Sequence, residues 1–221
     1  MVRGIIVDMD GTLIDSIQAH ALSFQEALAN FGKVVSLEEI IPLLGKGPEE
    51  ITATLWGEEA EAGIIREIME MRQKIFAERY RQRVKAFPKA REFLCLLKDS
   101  GRRIVLASCA HQEDVEYFID SLDLRPCIDE YVSADEVDRC KPRPDIFELA
   151  LQRADVEPQE AVAIGDSVHD VLAARALGIP IIGLLSSGAQ REKLRAAGAS
   201  EIYNDIQELL KKYRQSLLVK T

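Results

Sequence analysis

A few short stretches carry the side chains that could do chemistry. Asp8 and Asp10 follow the apolar run Ile5-Ile6-Val7 and lead into Gly11-Thr12-Leu13. Ser108 follows the apolar segment 103–107, Lys141 opens Lys141-Pro142-Arg143-Pro144, and Asp166 closes Ala161–Gly165 with Asp170 four residues on. Unpaired carboxylates at the ends of apolar strands are costly to bury. A hard cation would compensate them, and oxygen-only ligands favour Mg²⁺ over zinc or copper. Asp8 and Asp10, two apart, share a face of an extended strand, and a turn starting at Asp8 lets both reach one cavity. One carboxylate of such a pair can attack as a nucleophile and form a covalent intermediate. The other can shuttle protons to a leaving group and from water. A serine hydroxyl and a compact lysine charge suit phosphoryl oxygens, and a metal held by Asp166 and Asp170 would clamp nucleophile and phosphoryl group together.

The elements that must position these groups read as strands alternating with helices. Val2–Val7 is too apolar to be half exposed and suits a central parallel strand. From Ser16 to Arg83 no good strand is found. Short helices are expected there, then one longer amphipathic helix from Ile64 to Tyr80 with Ile65, Ile68, Met69, Ile75 and Phe76 on its apolar side. After Pro88 strands are expected at 103–107, near Tyr131-Val132, at 161–164, 179–184 and near Ile202. Helices are expected at 88–99, 113–122, 145–154, 168–177, 190–197 and 206–218. Strands separated by helices of 10–15 residues imply βαβ units and a parallel sheet, in which ligands bind at the carboxyl ends of the strands.

The chain has 221 residues, 47% of them hydrophobic and 29% charged, with a net charge of −9. This excludes a disordered or low-complexity protein. The acidic balance argues against a nucleic-acid groove, which needs basic patches. It does not argue against a phosphorylated substrate, because several of the negative charges belong to the proposed rim. None of the four cysteines, Cys95, Cys109, Cys127 and Cys140, has CxxC spacing, so a zinc site is not expected. Free thiols in a reducing cytosol are. Asp8 and Asp10 cut short the N-terminal apolar run, which does not read as a signal peptide, and no window approaches the length of a membrane span. A cytoplasmic protein with no membrane or nucleic-acid partner is expected, as monomer or homodimer.

Asp8-Met9-Asp10-Gly11-Thr12-Leu13 resembles the DxDGT[LV] signature of the haloacid dehalogenase superfamily of phosphotransferases. Ser108 resembles its second motif, Lys141-Pro142-Arg143-Pro144-Asp145-Ile146-Phe147 the KPxPDIF form of its third, and Gly165-Asp166-Ser167-Val168-His169-Asp170 the GDSxxD form of its fourth. The four occur in order over the whole chain, and the subgroup resembles the phosphoglycolate phosphatase and β-phosphoglucomutase branch. The resemblance implies an α/β fold, a Rossmann-like parallel sheet core (1–15 and 84–221) with an inserted α-helical cap (16–83). It implies a Mg²⁺-dependent phosphatase acting on a small phosphorylated metabolite, with Asp8 as nucleophile and Asp10 as general acid/base. Ser108 and Lys141 would bind the phosphoryl group. Asp8, Asp10 through its backbone carbonyl, and Asp166 would hold the metal, with Asp170 supporting. The carboxylate at Asp10 argues against carbon–halogen cleavage, since dehalogenases of the superfamily lack it. His20, at the start of the first cap helix, and Lys46, in a cap turn, are the substrate-contact candidates.

All of these residues but Asp166 have a plainer alternative: a turn for Asp8 and Asp10, a helix cap for Ser108, a solvated loop for Lys141 and Lys46, a first-turn acid for Asp170, a helix-face histidine for His20. Of the rival functions, a sugar-phosphate mutase shares the mechanism. Such mutases often carry Glu-Asp where this chain has Gly165-Asp166, which tilts the reading to hydrolysis. A signalling receiver domain also surrounds Mg²⁺ with acids, a hydroxyl and a lysine, but it lacks the helical insertion and the DxDGT order.

Overall fold

The computed structural model describes residues 2–57 and 61–219. In chain order, strand β1 (Gly4–Val7) is followed by helices α1 (Ile17–Asn30), α2 (Leu37–Ile40), α3 (Pro48–Trp56) and α4 (Ala62–Ile75). Then come α5 (Ala90–Asp99), β2 (Arg103–Ala107), α6 (Gln112–Ser121), β3 (Glu130–Val132) and α7 (Asp145–Ala154). The chain finishes with β4 (Ala161–Gly165), α8 (Val168–Ala176), β5 (Ile181–Leu184), α9 (Arg191–Ala197), β6 (Glu201–Tyr203) and α10 (Ile206–Lys211). Contacts divide it into two compact units, residues 1–15 with 86–221, and residues 16–85.

In the first unit the strands form one six-stranded sheet in the order β3-β2-β1-β4-β5-β6, every pair parallel. This is the α/β, Rossmann-like arrangement expected, with the order reversing beside β1, between β2 and β4. Strands β1, β4 and β5 are apolar and buried at every position because helices cover both faces. Ile6, Val105, Ala163 and Ile181 pack with Ile146, Phe147 and Ala150 of α7 and Val171 and Ala174 of α8. The expected final helix stops early, at Lys211, and one 3₁₀ turn follows at Tyr213–Gln215. No helix among the described residues is long and apolar enough to cross a membrane.

The expectation of four free thiols does not hold. Cys95 in α5 and Cys127 in a 3₁₀ turn are joined as a disulfide, their Cα atoms 4.4 Å apart, while Cys109 and Cys140 are free. Spacing along the chain says nothing of this pair; only the packing of α5 against the turn at Arg125–Cys127 brings them within bridging reach.

The second unit is helical. Its long helix is built as expected from Ile65, Ile68 and Ile75, and continues past α4 as a π-helical turn over Phe76–Tyr80. Phe24, Ala27 and Leu28 of α1 and Ile68 of α4 are buried. Arg72 is buried with them, 6% exposed. Its guanidinium carbon lies 4.9 Å from the ring centroids of both Phe24 and Phe76, its Nε donates to Ser23 Oγ at 3.1 Å, and it pairs with His20 Nδ1.

Candidate active site

The site starts from the end of β1. The Asp8 amide donates to the Ile164 carbonyl (2.9 Å), which registers the two central strands at the rim. The chain then turns over the Met9 carbonyl, which accepts from Leu13 (2.8 Å) and Ile14 (3.1 Å). Gly11 takes φ +80° in this turn, the left-handed region that favours glycine. Met9 itself is fully buried. The turn leaves Asp8 5% exposed and Asp10 half-buried.

Ser108 is the first residue past β2. Its amide donates to the Val132 carbonyl (3.0 Å), its hydroxyl donates to Asp10 Oδ2 (3.3 Å), and the Ala110 amide donates to that hydroxyl (3.1 Å). Lys141 is 1% exposed. Its Nζ donates to Asp8 Oδ1 (2.5 Å) and to the Ala107 carbonyl (2.8 Å), and pairs with Asp170 Oδ1 (2.8 Å). Asp166 and Asp170 sit at the turn from β4 into α8. Asp170 also closes that helix's capping box: its Oδ2 accepts from the Ser167 amide (3.0 Å) and hydroxyl (2.5 Å). The plainer reading of Asp170 as a first-turn acid and its place beside Lys141 therefore hold at once, one oxygen serving each.

Gly165 shows why the rim has this shape. A Cβ on it would lie 2.6 Å from Asp170 Cβ and Cγ. The space a side chain would take is filled by the Asp170 carboxyl group.

Burial pushes the Asp8 carboxyl well above the usual carboxylate range; Lys141 opposes this, and Asp170 and Asp166 add to it. Asp166 is pushed up to about 7, first by burial and then by Asp170, against hydrogen bonds from Ser187 and Thr12. Burial works against the Lys141 charge, but Asp170 and Asp8 outweigh it and hold its pKa well above the ordinary lysine value. Burial is the leading cause for both carboxyl groups, and the excess of negative charge around one lysine, Asp8, Asp166 and Asp170, adds to it.

The same excess is what a hard cation would relieve. Carboxylate oxygens of Asp8, Asp166 and Asp170 lie within 4.8 Å of one another, all three residues buried. Asp8 Oδ2 is buried without a hydrogen-bond partner. An oxygen-only donor set with an orphaned carboxylate oxygen fits Mg²⁺. The Asp10 carboxylate turns instead to Ser108.

Of the residues singled out from the sequence, the structure thus brings Asp8, Asp10, Ser108, Lys141, Asp166 and Asp170 to one rim. His20 and Lys46 belong to the helical unit. There His20 is 7% exposed, paired with Arg72 and stacked on Phe76 at 4.3 Å between ring centroids. Lys46 makes an ion pair with Glu50 at 2.7 Å.

Sequence reasoning missed three hydroxyls. Thr12 Oγ1 donates to Asp166 Oδ1 at 2.9 Å, and Ser187 also hydrogen-bonds Asp166. Ser186 Oγ donates to the Gly11 carbonyl at 2.7 Å and ties the loop after β5 to the nucleophile turn. The signal lies in the sequence: both serines follow the apolar strand β5, as other rim residues follow theirs.

Comparison with known proteins decides the family. Residues 5–184 match the family model described as haloacid dehalogenase-like hydrolase. The chain belongs to this family. It is an enzyme, a hydrolase of the phosphatase kind, similar over nearly its whole length to the phosphoglycolate phosphatases. That of Escherichia coli O157:H7 is 26% identical over 230 residues, 95% of this chain and 91% of that protein. Among solved structures, a hydrolase from Pseudomonas syringae is 28% identical with a TM-score of 0.89, covering 96% of this chain and 98% of that one. CbbY from Rhodobacter sphaeroides, solved with phosphate, is 27% identical with a TM-score of 0.81, covering 95% and 96%. This haloacid dehalogenase-like hydrolase therefore carries its acidic rim on the sheet edge where open α/β sheets bind ligands.

Proposed function

We propose that the chain is a Mg²⁺-dependent phosphatase that hydrolyses a small phosphorylated metabolite through a phosphoryl group carried on Asp8. The observation that carries this reading is the buried set of Asp8, Asp166 and Asp170, in which a single lysine pairs with Asp8 and Asp170. Asp8, Asp166 and Asp170, with the Asp10 backbone carbonyl, would hold the ion. The chemistry Mg²⁺ supplies in such a site is neutralisation of carboxylate and phosphoryl charge.

The chain's own groups take the remaining tasks. An Asp8 carboxylate oxygen attacks phosphorus while the substrate's ester oxygen leaves. Asp10 gives that oxygen its proton, then takes one from the water that cleaves the aspartyl phosphate. Lys141 and the Ser108 hydroxyl bind phosphoryl oxygens, and the Ala110 amide that now reaches the Ser108 hydroxyl orients it. The helical unit is assigned the part of a cap that selects substrate, with His20 and Lys46 as its contact candidates. The reading places the protein in the cytoplasm, as the sequence suggested, although the Cys95–Cys127 disulfide is uncommon there.

Hydrolysis is favoured over the mutase reaction by Gly165. A glutamate there would have to displace the Asp170 carboxyl group, 2.6 Å from the glycine's notional Cβ. The test is phosphate release from phosphoglycolate, sugar phosphates, nucleotides and pyrophosphate, with and without Mg²⁺, beside conversion of β-glucose 1-phosphate. Metal-dependent release from one class supports the proposal. Conversion of β-glucose 1-phosphate without release would assign the mutase instead.

A further inference from the structure

The loop that carries Ser108 runs from the end of β2 to the start of α6 and is laid along the segment leaving β3. Two of its ties are made by backbone alone. The Ser108 amide donates to the Val132 carbonyl (3.0 Å), and the Ala134 amide donates to the Ala110 carbonyl (2.9 Å). The third uses a side chain. Asp135 Oδ2 accepts from the Gln112 amide (2.6 Å), and Asp135 Oδ1 meets His111 Nδ1 (2.8 Å). A carboxylate only accepts, so His111 Nδ1 carries the proton.

Asp135 fills a place that α6 leaves open. His111 is the N-cap residue of α6, and its side chain makes no cap hydrogen bond to its own helix. The Gln112 amide is one of the first-turn donors that a helix cannot satisfy internally. Asp135 supplies its acceptor from 23 residues away. Burial would raise the Asp135 carboxyl, but the Gln112 amide and His111 hold it below the usual carboxylate range. The anchor is itself fixed: Ser133 and Glu136 close a capping box around the turn Ala134–Glu136, and Arg153 of α7 pairs with Glu136.

We propose that Asp135 is a positioning residue for phosphoryl binding, holding His111 and Gln112 so that the loop presents the Ser108 hydroxyl and the Ala110 amide in register. The proposal deepens the phosphatase reading and rests on it. The loop is short, and its parts are linked: the Ala110 amide donates to the Ser108 hydroxyl (3.1 Å), which reaches Asp10 Oδ2 (3.3 Å). A loop released at His111 and Gln112 therefore loosens Ala110 and Ser108 with it. His111 has a second use in the clamp. Its pairing offsets the Asp135 charge, which would otherwise repel an approaching phosphoryl group. The loop meets the phosphoryl group in ground state and transition state alike. Loosening it removes uniform binding, which raises KM and leaves kcat little changed.

The experiment measures inorganic phosphate binding by calorimetry with Mg²⁺ present, KM and kcat on the best substrate of the panel, and Tm, all on the full chain. Asp135→Ala should weaken phosphate binding and raise KM by about tenfold, the scale of one charge-assisted hydrogen bond, with kcat within about twofold. Asp135→Asn keeps an acceptor for the Gln112 amide and should recover most of the loss. Asp205→Ala removes the comparable cap of α10, after the edge strand β6, and should lower Tm while leaving phosphate affinity alone. His111→Ala opens one arm of the clamp and should weaken phosphate binding by about threefold. Wild-type phosphate affinity in Asp135→Ala, or in His111→Ala should Asp135→Ala not fold, overturns the proposal. So does an Asp135→Asn protein as weak as Asp135→Ala, or equal weakening in Asp205→Ala. Phosphate binding needs no turnover, so a protein that binds phosphate but releases it from no substrate fails the phosphatase reading while the clamp is still tested. A wild-type protein that binds no phosphate overturns both.

Discussion

Lys141 and Arg72 are both buried cations, one in each unit of the chain, and they are housed in different ways. Lys141 is 1% exposed and meets two carboxylates and a backbone carbonyl, delivered from β1, β2 and α8. Arg72 is 6% exposed and lies between the faces of Phe24 and Phe76, with Ser23 and His20 at its nitrogens. In the helical unit the positive charge lies over π faces and beside polar side chains, an arrangement that fixes helix packing. On the rim one ammonium answers three carboxylates, so the fold holds more negative charge than it can neutralise. Protein cores seldom keep such an imbalance unless something outside the chain completes it. The difference separates a pin that stabilises from a socket that a bound cation would complete.

Replacing each cation should therefore break different things. The largest effect is expected at the rim. Lys141→Met keeps the stem and removes the charge, and phosphatase activity should fall by about a thousandfold. The metal-free protein should also melt lower, because Asp8 and Asp170 lose their counter-charge. Near-wild-type turnover in this variant would remove Lys141 from the phosphoryl site.

Asp166→Asn should separate function from stability. Folded Asp166 titrates at about 7 against an ordinary 3.8. Between those values the folded state holds the extra proton, so metal-free stability falls as pH rises through this window and levels off above it. Burial shifts Asp8 in the same direction. The amide removes that penalty. Metal-free Asp166→Asn should melt higher than wild type at pH 7.5, with a flatter profile between pH 5 and 7, and should lose most Mg²⁺-dependent activity. A lower melting temperature at pH 7.5 would show that Asp166 stabilises the rim.

Arg72→Met is the smallest change. Loss of two ring contacts and its polar contacts should cost about 1–3 kcal/mol of stability, read as a Tm lower by several degrees at every pH from 5 to 8. An unaltered Tm would mean that Arg72 does not pin the helices.

The two regions were also unequally legible. Asp8, Asp10, Ser108 and Asp166 could be read because each ends an apolar strand, and a parallel sheet brings strand ends to one edge. The strand alternation announced the fold for the same reason. Lys141 follows no such strand directly; its flanking prolines and the KPxPDIF resemblance singled it out. Arg72 gave no such signal, because an arginine among Met71, Gln73 and Lys74 reads as a solvated helix face until the neighbouring Phe24 and Phe76 are known. The Cys95–Cys127 bridge was hidden likewise, since it depends on α5 and the turn at Arg125–Cys127 meeting in space. His20 was visible, but not its tie to Arg72.

The central claim is that phosphoryl transfer runs through the Asp8 carboxylate. Asp8→Asn keeps size and shape while removing the nucleophile. Phosphate release by this variant, measured with saturating Mg²⁺ on the best substrate of the panel and with binding of that substrate checked independently, tests the claim most directly. Release reduced to a trace while the variant remains folded and still binds substrate is the predicted result. Release at a substantial fraction of the wild-type rate would contradict it.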